Sequence, residues 1–232
     1  MLLFYLRRKE LNLETGDAWS SFWTNLAKGA LLKLSNEKTE NRNWRPNIIL
    51  FRGRKQERMH LVELGLAMSG KLGALTDFEL IFDNKGVTET KGNSIKSDAQ
   101  YFSRHLVCDS IEKGIKSVTN IYGFSGFEPN TVMMGWSNDP KNAGLLANIL
   151  FDLKKKNLNT VLLDYDKTNG FGKKEKIDIW WNGKGRLLSF ALNIMRFILS
   201  DAGWRDANLR ILVINGDNKV TDRLYHNTNA LL

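Results

Sequence analysis

The residues of this 232-residue chain that could do chemistry are three histidines, one cysteine and a few carboxylates near strand ends. His60, His105 and His226 lie in separate segments with no acidic or cysteine companion at ligand spacing, and Cys108 stands alone. A metal centre needs three or four such ligands converging, so no metal is expected. Asp164, Asp166 and Asp178 fall near strand ends, where carboxylates can act as general acids or bases. No nucleophile or second base accompanies them, and acidic residues at such places are more often ordinary turn formers. Gly123-Phe124-Ser125-Gly126 approaches a nucleophile elbow but has Phe127 where the second glycine belongs, and it precedes a strand instead of following one. Gly170-Phe171-Gly172-Lys173 lacks both the spacing and the hydroxyl of a phosphate-binding P-loop. The expectation is a non-catalytic chain without a cofactor.

Composition narrows the partners. With 42% hydrophobic residues the chain can build a core, and no apolar run reaches the roughly 18 residues of a membrane span. Met1–Leu6 is apolar and stops at Arg7-Arg8-Lys9, the arrangement seen on the cytoplasmic side of a membrane helix; a frayed terminus is the alternative. One cysteine excludes an internal disulfide and suits a reducing compartment. The net charge of +9 permits nucleic acid or an anionic membrane face. Yet the basic clusters at Arg7-Arg8-Lys9, Lys154-Lys155-Lys156 and Lys173-Lys174 are short and not interleaved with aromatics, so nucleic acid is not expected.

The elements follow from periodicity. Asp17–Leu34 places Trp19, Phe22, Trp23, Leu26 and Leu31 on one helical stripe. Strands are expected at Asn47–Phe51, Thr131–Trp136 and Leu209–Ile214, read as short buried runs, at Phe78–Phe82 and Thr160–Tyr165, and at Ile177–Trp181, which alternates. Helices are expected over Glu57–Leu72, with Met59, Val62, Leu66 and Met68 inward, and over Lys96–Leu106, Asp109–Ile121, Asn142–Lys155 and Leu187–Leu199. Asn84–Ser94 and Lys167–Lys176 read as turn-rich loops. Pro46-Asn47 and Pro129-Asn130 open matching apolar runs 83 positions apart, and Asp77–Phe82 shifted by 83 falls on Thr160–Tyr165. Strands alternating with helices, repeated once, predict two related α/β halves built on mainly parallel sheets flanked by helices.

Three segments in this order resemble the cytosolic C-terminal domain of the cation-chloride cotransporters, membrane carriers of Na+ and/or K+ with Cl−. They are Asn43-Trp44-Arg45-Pro46-Asn47, Phe127-Glu128-Pro129-Asn130-Thr131-Val132-Met133-Met134-Gly135-Trp136, and Ile177-Asp178-Ile179-Trp180-Trp181, followed by Trp204. The resemblance spans residues 17 to about 216 and implies a doubled universal-stress-like architecture. It implies a juxtamembrane segment and connecting helix over 1–40, a first half over 41–126 and a second half over 127–232. The chain stops where the family continues with a further helix and strand, so the second half is expected to be incomplete. The resemblance further implies a prokaryotic-type regulatory domain that pairs as a homodimer, sits on the cytoplasmic side, and contacts the membrane part of its own polypeptide. Trp19, Phe22, Trp23 and Leu26 are then the connecting-helix contacts. Trp44, Arg45, Pro46, Pro129, Asn130, Gly135, Trp136, Asp178, Trp180 and Trp181 are structural motif residues. Lys167–Lys176 is too short for the phosphorylatable insertions of eukaryotic relatives. The alternative reading is a nucleotide-sensing universal-stress-type module. Against it, Gly123 and Gly126 precede their strand and Trp136 stands where that module needs glycine.

Overall fold

The structure, a computed structural model, describes residues 15–36, 44–53, 58–82, 101–124, 126–181 and 187–213. They fall into two compact units.

The first unit is helix α1 (Thr15–Asn36) with residues 122–128. Phe124 and Phe127 form an antiparallel bridge, and Gly126 between them adopts φ +83. A side chain there would meet the backbone of Leu34 and Ser35 near the end of α1, so only glycine lets the turn lie this close.

The second unit is α/β. Its elements are β1 (Asn47–Phe51), α2 (Met59–Ser69), β2 (Ala74–Phe82), β3 (Tyr101–Cys108), α3 (Ile111–Ile121), β4 (Thr131–Gly135), a 3-10 turn (Pro140–Asn142), α4 (Ala143–Lys155), β5 (Asn159–Leu163), β6 (Lys176–Trp181), α5 (Leu187–Ile198) and β7 (Asn208–Val213). Five strands form one parallel sheet in the order β3-β2-β1-β4-β5, and β6 and β7 pair in parallel as a second sheet.

Alternation sets which helix covers which face. Gly65 of α2 lies against Leu75, and Gly114 of α3 lies against Leu80, residues of opposite parity on β2. Helices α2 and α3 therefore cover opposite faces. Lys156 at the end of α4 donates to Thr119 of α3 at 2.6 Å, and Phe197 of α5 packs on Gly70 at the end of α2. The central strands are buried on both sides: Ile48, Ile49, Leu50, Val132 and Met133 have no exposed surface. That is why β1 and β4 are unbroken apolar runs.

The sequence repeat has a direct structural counterpart. Ile48 pairs with Thr131, Ile49 with Val132, Leu50 with Met133 and Phe51 with Met134, each 83 residues apart. Repeat-related strands thus lie side by side at the centre of one sheet. The outer pair matches one residue later: Leu50 pairs with Asp77 and Met133 with Val161, an offset of 84. Thr160 is therefore not the counterpart of Asp77, and Val161 occupies that place on the same face.

Four expectations need correction. Tyr101–Leu106, expected as the end of a helix, lies in β3, paired with β2 through eight register positions. As an edge strand with both faces largely exposed, it lacks the apolar alternation that marks a half-buried strand. Strand β2 begins at Ala74, four residues before Phe78, because it accommodates a buried Asp77. Met59 faces outward at the first turn of α2, and Leu61 takes the inward place. Strand β7, expected as buried, is only partly so, because it lies in the two-stranded sheet. The Asn84–Ser94 expectation lies outside the described residues.

Candidate functional site

Trp19, Phe22, Trp23 and Leu26 line one face of α1, as the i, i+3, i+4, i+7 spacing requires. Phe22 meets Trp19 edge-on with ring centroids 6.0 Å apart and Trp23 at 5.1 Å. The cluster keeps 44–58% of its surface exposed. Burying side chains of this size typically gains about 1.5–3 kcal/mol each, which makes this face suited to docking.

Of the motif residues, Arg45, Pro46, Pro129 and Asn130 lie where the two central strands begin. Asn130 donates through Nδ2 to the Arg45 carbonyl at 2.6 Å, and its Oδ1 accepts from the Asn47 amide at 3.2 Å and the Thr131 hydroxyl at 2.9 Å. Its amide donates to the Asn47 carbonyl at 3.0 Å, and its carbonyl accepts from the Asn159 amide at 2.9 Å. Buried Pro46 offers its carbonyl to the Ala74 amide at 2.9 Å. Pro129 is half-buried, Arg45 is exposed and Trp44, in the first unit, is half-buried. The Pro-Asn repeats are thus a clasp that sets the register of four strands, β1, β2, β4 and β5. Asn130→Ala removes three side-chain bonds and is expected to cost about 1–3 kcal/mol, read as a lower urea midpoint with unchanged slope.

The last motif lies on the two-stranded sheet. Arg210 grips Asp178 with two hydrogen bonds of 2.7 Å across register-paired positions. Those bonds hold the Asp178 carboxyl below its ordinary pKa. Trp180 is exposed beside this pair and Trp181 is half-buried on the opposite face. Trp204 is buried and stacks edge-on with Phe171, which meets Tyr165, which lies flat on His60 at 3.9 Å. Burial and the neighbouring Arg58 lower the pKa of His60. Lys174, at φ +57, sits over Phe171 and Trp204 and bonds Glu63 at 2.6 Å. This ladder fastens the Lys167–Lys176 loop to α2.

The carboxylates considered for catalysis do not converge. Asp166 caps its own turn, accepting from the Thr168 amide at 2.7 Å and from Asn169, and Asp178 is engaged by Arg210. Asp164 is exposed. His105 pairs with Glu79 at 3.1 Å, Cys108 is half-buried with its thiol pKa raised by burial and Asp109, and His226 lies outside the described residues. Among the described residues, no group of three His, Cys, Asp or Glu side chains could hold a metal, and no helix is long and apolar enough to cross a membrane.

Two features had no local signature in the sequence. Asp77 is fully buried in β2, and Arg52, just beyond β1, reaches it at 2.7 Å. Burial pushes the Asp77 pKa up, and the Arg52 charge only partly offsets this. The second feature is a crevice of about 600 Å³ at the carboxyl ends of β1, β2 and β4. The chain passes to opposite sides of β1 at this point in the strand order, which is where open α/β sheets bind ligands. Phe51, Met134, Ile115 and Ile149 supply its apolar walls, with Arg58, Trp136 and Asp139 among the other residues that line it. Gly135 and Trp136 of the motif thus belong to the crevice.

No family model matches the chain. Among solved structures it is similar to the cytoplasmic domain of a prokaryotic cation chloride cotransporter, with a TM-score of 0.64 and 14% identity. The match covers 81% of this chain and 73% of that one. The chain therefore has the fold of that domain.

Proposed function

We propose that the chain is the non-catalytic regulatory and dimerisation domain on the cytoplasmic side of a cation-chloride carrier that moves Na+ and/or K+ with Cl−. The observation that carries this reading is the shared fold, together with motif segments in the family's order, two of them built into the clasp at Asn130. Its partners are a second copy of the chain and the membrane domain of the same polypeptide. Residues 1–40 form the connecting segment, 41–126 and 127–232 the two universal-stress-like halves. The Trp19/Phe22/Trp23/Leu26 face transmits the position of the paired domains to the carrier.

The test is ion flux and dimerisation of the intact carrier with Trp19→Ala and Trp23→Ala combined. Both side chains are exposed here, so the isolated domain should unfold within about 0.5 kcal/mol of the parent per site. Flux or its regulation should change. Unaltered flux and pairing would count against the proposal.

The crevice favours a second reading, a module that senses nucleotide. Against it, Asp139 places a carboxylate before α4, bonding the Lys141 amide at 3.0 Å, where a phosphate would otherwise sit. Micromolar binding of ATP or AMP by calorimetry would support this reading, and its absence would remove it.

A further inference from the structure

We propose that the crevice at the ends of β1, β2 and β4 binds a small organic anion with one carboxylate on a flat apolar body. This goes beyond the carrier reading and does not depend on it.

The volume, about 600 Å³, is that of a small-molecule site. Its apolar wall comes from the sheet and both covering helices on that side: Phe51 and Met134 from the strands, Ile115 from α3, Ile149 from α4. Trp136, 46% exposed, stands at the rim, its amide donating to the Leu163 carbonyl at 2.8 Å. A flat hydrocarbon body would bury the apolar surface that these residues leave open.

The charges select the head group. Among the described residues Arg58 is the cation that lines the crevice. Its Nη1 donates to the Arg52 carbonyl at 3.5 Å, and among the described residues no carboxylate pairs with it. Gly135 lies beside that guanidinium: a Cβ there would come within 3.4 Å of Arg58 Nη1. A planar guanidinium grips a carboxylate through two parallel bonds. Asp139, which also lines the crevice, lies before the 3-10 turn, and Pro140 offers no N–H. A polyanionic head would meet the Asp139 charge, whereas a single carboxylate at Arg58 avoids it. Asn142 donates to Ser137 Oγ at 2.9 Å, which fixes the polar rim around the body.

Titration calorimetry of the full chain with naphthoate at neutral pH tests this. The expected result is saturable binding, with amide shifts in NMR spectra at Gly135, Ser137 and Ile115. Arg58→Gln should weaken it roughly tenfold or more, and naphthalenemethanol, the same body without charge, should bind weaker by a similar factor. Arg58 is exposed, so the variant should fold. Absence of naphthoate binding, equal affinity of Arg58→Gln, or shifts elsewhere would overturn the proposal. AMP binding without naphthoate binding would also overturn it, while supporting nucleotide sensing.

Discussion

Arg52→Met is expected to destabilise the α/β unit by about 3–5 kcal/mol at neutral pH, the usual loss when one partner of a buried pair is removed. Asp77 has no exposed surface and Arg52 is its counter-ion at 2.7 Å. The pH dependence distinguishes this loss from simple packing damage. Burial already raises the Asp77 pKa above its unfolded value, so folding takes up a proton as pH falls through the folded value. The stability linked to Asp77 is therefore present at low pH and lost as pH rises. Without Arg52 the pKa climbs further, and the window moves toward neutrality. The deficit of Arg52→Met should shrink on acidification, read from urea midpoints at about pH 7 and about pH 5. Asp178 has the opposite sense, because Arg210 lowers its pKa and its contribution fades as pH falls. A deficit independent of pH would mean that Asp77 is not the charge Arg52 neutralises.

Gly73→Ala is the second large effect, at about 3 kcal/mol. Gly73 donates to the Ser69 carbonyl at 2.8 Å as α2 ends, and the next amide, Ala74, bonds the Pro46 carbonyl. An added Cβ would fall on the Pro46 and Ser69 carbonyl oxygens, both backbone atoms. The turn, the start of β2 and the Pro-Asn clasp would have to move together. Thermal unfolding should show a clear drop, whereas Gly144→Ala, with open space around it, should not.

The parts of this fold legible in the sequence are those with one strong local cause. β1 and β4 are unbroken apolar runs because both faces are covered, and the repeat spacing equals their register. Ile177–Trp181 showed its alternation because one face of the two-stranded sheet is exposed. Edge strand β3 lacked any such cause. Asp77 looked like a strand boundary because its compensating charge comes from Arg52, 25 residues away. The crevice was invisible for the same reason: Arg58 and Asp139 come together only when strand ends converge. The helix face at Trp19 and Trp23 was fully legible, but its pattern does not say what covers it.

The most direct test of the central claim is to read the reading frame that encodes this chain upstream of Met1 and score its hydropathy. About a dozen apolar spans of roughly 20 residues each are expected there, the last running into Met1–Leu6. A frame that begins at Met1, or a preceding segment without such spans, would contradict it.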